Sequence, residues 1–138
     1  MENFFKPAKA DELKDVISWA AAEETTLELV GHGTKQGLGR PTQCEFVLDL
    51  SQLAGIVSYQ PEELILQASA GTPIAEIERI VAEKDQQLAF EPPDYGPLFG
   101  AAADSGTIGG ALACNLSGPR RIKAGAARDH LLGSKAVS

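Results

Sequence analysis

Apolar positions in the first thirty residues recur at helical spacing and then run together. Leu13, Val16, Ile17 and Ala20 fall on one stripe behind Pro7, with Asp11 and Glu12 in the first turn, where the helix dipole favours acids. That pattern predicts a helix, and the apolar run TLELV at 26–30 predicts a buried strand after it. EFVLDL at 45–50 reads as a second strand, followed by a turn-like SQLAG and a short IVSY segment before Pro61. LILQAS at 64–69 gives a third strand, with Leu64, Leu66 and Ala68 on one face. Gly71 ends it, Thr72 is placed to cap, Pro73 suits the first helical position, and Ile74, Ile77 and Val81 form the stripe of a second long helix.

The order is therefore helix, strand, strand, strand, helix, an α+β arrangement of a small mixed sheet flanked by helices. Residues 88–104 combine prolines, glycines and aromatics, as expected of an ordered but irregular connection. Beyond it Thr107 can cap a short helix carrying Ile108, Ala111 and Leu112. LLGSKAVS at the end reads as the start of another strand.

A chain of 138 residues suits one core of ordinary size, and no linker divides it, so residues 1–138 are expected to form a single compact unit. The formal charge of −7 is unevenly spread: residues 105–138 hold five basic side chains and one acidic, the residues before them seven and eighteen. An acidic chain with one local basic segment lacks the broad positive face that a nucleic acid needs and suits a small anionic ligand better. Cys44 and Cys114 have no zinc or iron–sulfur spacing and read as reduced core residues, so no metal is expected. No secretory signal or apolar run of membrane-spanning length is present, which points to a cytoplasmic chain, attached to the inner membrane at most through partners.

The chemistry is concentrated in two glycine-rich segments, GHGTKQGLG at 31–39 and SGTIGGALACNLSG at 105–118. The first follows a strand and the second opens a helix, and glycine lets a bulky anion approach backbone N–H groups closely. The first lacks the glycine spacing of a Rossmann turn, since the third glycine position is occupied by Gln36, and in it Lys35 precedes Gly37 instead of following a glycine as in a Walker loop. In the second, the N-terminal turn around Gly109 and Gly110 is expected to present free N–H groups to an anion. Arg120, Arg121, Lys123 and Arg128 stand close behind it in sequence as further counter-charge. Two such turns suggest a pyrophosphate cradle.

The VGHGTKQGLG loop, the LDLSQLAGIVSYQPEE stretch, the ASAGTPIAEIERIVAE turn and the EPPD, GTIGGALACNLSGPRR and GAARDHLLG segments occur here in an order that resembles the FAD-binding domain of the vanillyl-alcohol oxidase/p-cresol methylhydroxylase (PCMH) superfamily. The likeness runs from Pro7 to Val137, and within the superfamily it looks most like the smaller flavoprotein subunits of bacterial glycolate oxidases. The resemblance implies the first subdomain of a PCMH-type FAD-binding domain with the start of the second. It also implies that the chain is an N-terminal part, ending before the rest of that domain and the substrate domain. Carried over by position, Gly31, His32, Gly33, Thr34, Lys35 and Gly37 form the pyrophosphate loop. Thr107, Ile108, Gly109, Gly110 and Asn115 line the second side of FAD, with Gly118, Arg120 and Arg128 close by.

Some superfamily members attach FAD to a histidine in this loop, usually after two glycines. His32 precedes Gly33 and stands one position early, so FAD is expected to be held non-covalently. The implied activity is oxidation of a small 2-hydroxy acid, glycolate to glyoxylate, in a complex with a larger FAD-binding subunit and an iron–sulfur subunit. Two other readings remain at this point: an assembly subunit with a vestigial flavin site, and another FAD-linked alcohol or D-lactate oxidase. No catalytic residue is assigned within these 138 positions.

Overall fold

The computed structural model describes residues 3–138. Three short strands, β1 (Phe4–Phe5), β2 (Leu27–Val30) and β3 (Phe46–Asp49), form a parallel sheet in the order β1-β3-β2. Parallel neighbours need a crossover, and α1 (Ala10–Ala22) supplies it between β1 and β2. The register sets Phe4 opposite Val47 and Leu27 opposite Phe46, leaving Leu48 on the central strand wholly buried. Trp19 of α1 closes over Phe5 and Phe46 with ring centroids 5.1 and 5.0 Å away, an aromatic contact that fixes the helix against the sheet. Asp49, at the end of β3, is nearly buried. Burial alone would raise its pKa, but the Lys6 ammonium at 2.8 Å and the Ser51 N–H hold it below the ordinary carboxylate value.

A second, antiparallel pair consists of β4 (Ile56–Gln60) and β5 (Ile65–Ala68), joined by a 3₁₀ turn at Pro61–Glu63. The segment read as IVSY is thus a full strand, and Leu64 is a turn residue rather than an inward one. It adopts φ 57° and is 75 % exposed, while Leu66 and Ala68 keep the sheltered side. In α2 (Ile74–Ala82) the stripe Ile74, Ile77, Val81 is buried as its spacing predicts. Thr72 does not cap this helix, because Pro73 holds the N-cap position without a side-chain bond. Its hydroxyl, fully buried, accepts from the Gly55 N–H at 2.9 Å and donates to the Ser69 carbonyl at 2.7 Å.

The remaining helices are short: α3 (Ile108–Ala113) and α4 (Arg121–Ala124), followed by a 3₁₀ turn at Ala127–His130. Four further points differ from what the sequence predicts. β1 was not foreseen, since two residues cannot display an alternation. Residues 131–138 form no strand, because no ladder partner lies beside them among the described residues. Leu29 is 62 % exposed, as β2 lies at the sheet edge, so that strand is only partly buried. Cys114 is exposed and Cys44 only half-buried, so neither is a core residue, although both are free thiols. No helix among the described residues is long and apolar enough to cross a membrane.

Candidate functional site

The loop 31–39 leaves the C-terminal end of β2 and runs beside residues 99–107 in the opposite sense. Gly31 meets Thr107 so closely that a Cβ there would stand 2.8 Å from the hydroxyl oxygen. One residue on, His32 Nδ1–H donates to the Ser105 carbonyl at 2.7 Å. At the far end Gly37 lies against the Phe99 ring, where a Cβ would come within 2.5 Å of Cδ1. The two glycine-rich segments are therefore joined at two points, and the first is pinned at a third to the connection at 94–104.

Their backbones are used in opposite ways. In the first loop only Gln36 and Leu38 bond back, to the Gly33 and Lys35 carbonyls, and the N–H groups of residues 31–35 and of Gly37 have no partner among the described residues. Thr34 is buried and Gly31, Gly33 and Lys35 are half-buried, so these donors lack a full complement of water. In α3 the first-turn donors are spent: Ile108 N–H on the Thr72 carbonyl at 2.9 Å, Gly109 N–H on the Ala70 carbonyl at 2.9 Å, and Gly110 N–H on the capping hydroxyl of Thr107 at 3.2 Å. The cap expected at Thr107 is present. The free N–H groups expected at Gly109 and Gly110 are not, because the strand-to-helix turn at 70–72 docks on Gly109 and the Thr107 cap takes Gly110. Gly109 serves that docking, since a Cβ would fall 2.8 Å from the Ala70 carbonyl oxygen.

Lys35 supplies the charge between the segments. Its ammonium donates to Thr34 Oγ1 at 3.3 Å and lies 3.4 and 3.6 Å from where a Cβ at Gly110 and Gly106 would stand. It makes no ion pair among the described residues. Burial lowers its pKa, an effect that Cys114 and Asp94 offset only in part. A half-buried cation in no ion pair among the described residues, next to a run of unpaired donors, suits an anion.

The other predicted residues are engaged further along. Arg120 clasps Glu91 through Nε and Nη2, both 2.8 Å from Oε1, and that bond draws the Glu91 pKa down and the Arg120 pKa up. Gly118 N–H donates to the Phe90 carbonyl at 2.9 Å, and a Cβ there would meet Glu91. Asn115, at φ 50°, accepts the Arg128 N–H on Oδ1 at 3.0 Å, and the Arg128 side chain reaches Asp129 at 3.8 Å. Arg121 and Lys123 are exposed on α4. Sequence reasoning missed Asp94, which accepts the Gly96 and Asp104 N–H groups and shapes the connection at 94–104. An Asp two residues before a glycine was the available signal.

The fold and the site are those of a small mixed α/β domain in which a strand-ending glycine loop and a short helix meet around Lys35. The chain belongs to the FAD binding domain family, whose model matches residues 1–138. It is 37 % identical over 126 residues to glycolate oxidase subunit GlcE of Escherichia coli K12, covering 91 % of this chain and 34 % of that protein. It is 30 % identical over 135 residues to D-2-hydroxyglutarate dehydrogenase of Xanthomonas citri pv. viticola, covering 96 % and 26 %. Two solved structures of alkyldihydroxyacetonephosphate synthase share the fold, at TM-scores of 0.71 and 0.68 with 18 and 16 % identity, over 91 and 94 % of this chain and 23 and 24 % of theirs. The chain thus spans about a third or less of the proteins it matches. FAD is the cofactor of this family, and the unpaired donors of residues 31–35 with the unpaired Lys35 ammonium fit its diphosphate.

Proposed function

We propose that this chain provides the diphosphate-gripping part of a flavoprotein that oxidises a small 2-hydroxy acid, glycolate first among them, to the 2-oxo acid. The observation that carries the reading is Lys35, an unpaired, half-buried ammonium beside the unpaired N–H groups of residues 31–35. The 37 % identity to a glycolate oxidase subunit supports the substrate. In this reading Gly31, His32, Gly33, Thr34, Lys35 and Gly37 hold the diphosphate. Thr107 and Ile108 to Gly110 form the opposite wall, and Asn115, Gly118, Arg120 and Arg128 keep that wall in place. FAD, when bound, supplies the acceptor for the two electrons leaving the alcohol carbon.

In this reading the protein's own residues position the cofactor and hold it non-covalently, since His32 precedes Gly33 instead of following two glycines. The partners that fit are a larger FAD-binding subunit and an iron–sulfur subunit that takes the electrons on, at the cytoplasmic side of the membrane. The test is to purify the protein from cells with its bound subunits, record its visible absorbance, and precipitate it with acid. Flavin bands that pass to the supernatant, and that bleach when glycolate is added without oxygen, are expected. A folded, colourless protein overturns the reading. Bleaching by D-2-hydroxyglutarate or D-lactate and not by glycolate moves the substrate while keeping the cofactor, a variant that the similarity to D-2-hydroxyglutarate dehydrogenase makes worth measuring.

A further inference from the structure

Asp49 stands where the donor loop and the α3 wall are tied to one framework. The strands β1, β2 and β3 run parallel, so their carboxyl ends lie together, the end of an open sheet at which ligands are commonly taken. Asp49 is the last residue of β3, in register with Val30, and the next residue, Leu50, donates its N–H to the Val30 carbonyl at 2.8 Å. Val30 runs directly into Gly31, so the end of β3 sets the root of the donor loop.

The same residue begins the path to α3. Its Oδ1 accepts the Ser51 N–H at 2.8 Å, shaping a turn that the Leu53 N–H closes on the Leu50 carbonyl at 3.0 Å. Gly71 docks in that turn: its N–H donates to the Leu53 carbonyl at 2.8 Å, and a Cβ there would collide with the Leu50 carbonyl oxygen. Its neighbours, Ala70 and Thr72, carry the carbonyls that receive Gly109 and Ile108 of α3. The other carboxylate oxygen, Oδ2, lies 2.8 Å from the ammonium of Lys6, the residue after β1, and the two side chains are 10 % and 39 % exposed. A nearly buried ion pair is a weak source of net stability, because desolvation offsets most of the attraction, and the best-attested use of such pairs is to fix one geometry. Here that geometry is the spacing between the loop at 31–35 and α3.

We infer that Asp49, clamped by Lys6, is a positioning residue for the diphosphate: it acts through Val30 on one side and Gly71 on the other, and holds the donor loop and the α3 wall at the separation that FAD requires. This rests on the FAD reading above. It accounts for a charged pair at the root of the site that neither the apolar core nor the ligand uses.

The test is to purify the protein from cells, remove its flavin, and titrate FAD back by flavin fluorescence at a temperature where circular dichroism shows each variant folded. Asp49→Ala removes both bonds of the carboxylate, Lys6→Met removes the clamp alone, and Lys6→Arg keeps it. Val81→Ala, a truncation of the buried stripe of α2, is the control for lost stability as such. Asp49→Ala is expected to weaken FAD about tenfold and Lys6→Met about threefold, the range of couplings carried through a packed network, with Lys6→Arg within about twofold of wild type. Val81→Ala should melt earlier and bind FAD as wild type does. Folded Asp49→Ala with wild-type FAD affinity overturns the inference and leaves the cradle standing, as does an affinity that merely follows the melting temperature across all four variants. Should Asp49→Ala not fold, Lys6→Met decides on the same terms, since that side chain is the more exposed of the pair. A folded wild type that takes up no FAD overturns the FAD reading itself.

Discussion

The two glycine-rich segments look alike in sequence and do opposite things. In 31–39 Gly31 and Gly37 let Thr107 and Phe99 approach, yet the N–H groups of residues 31–35 stay unspent beside Lys35. In 105–118 glycine lets backbones touch: Gly109 on Ala70 and Gly118 on Glu91, with the donors of Ile108, Gly109 and Gly118 consumed in those contacts. One segment is the hand and the other the wrist. Glycine content alone reports that a close approach occurs, and only the partner tells whether it is a ligand or the protein itself.

The contrast is most sharply broken at Gly109. Replacing it with alanine drives a Cβ into the Ala70 backbone, and we expect a loss of roughly 2–3 kcal/mol in urea unfolding, as for overpacked cores. Lys35→Met is the converse change. It should leave stability intact and weaken FAD roughly 10- to 100-fold in a binding titration, the scale of one charge-assisted hydrogen bond lost at about 1.5–3 kcal/mol. An equal stability loss in both variants would erase the distinction between the segments.

A pH series sharpens it further. Burial places the folded Lys35 pKa below its unfolded value, so the folded chain releases that proton first as pH rises. Between the lowered value and the ordinary lysine range the unfolded chain binds more protons, and stability of the apoprotein should climb with pH there. Lys35→Met should lack that climb, and FAD should bind wild type more weakly across the same window. The smallest effect is expected from Glu91→Gln, which frees Arg120 from its ion pair. Thermal unfolding should move slightly downward while FAD affinity holds, and a marked gain in affinity would show that Arg120 turns to the phosphates.

Much of this was legible beforehand. The stripes of α1 and α2 and the strands around Leu48 and Leu66 follow from periodicities that burial enforces. Lys35 entered the reading only through the family resemblance, which places it in the pyrophosphate loop. The Thr107 cap was legible because its hydroxyl serves a donor three residues away, within one stretch of sequence. The fate of the Gly109 N–H was not, since it depends on the carbonyl of Ala70, thirty-nine positions earlier, brought in by the turn before α2. The ion pair of Arg120 was not legible for the same reason: its partner Glu91 lies in an irregular segment whose path no periodicity reports.

Thr72 carries a consequence for motion. One hydroxyl, shut off from water, is shared between Gly55 before β4 and Ser69 after β5, while the neighbouring carbonyl receives Ile108 at the start of α3. The hairpin, the entrance to α2 and the wall of the cradle therefore hang on a single residue, and none of them can open alone without stranding its polar atoms. In hydrogen–deuterium exchange the amides of Gly55 and Ile108 should consequently exchange together and late, as one cooperative unit, while the amides of residues 31–35 exchange at once until a ligand closes over them.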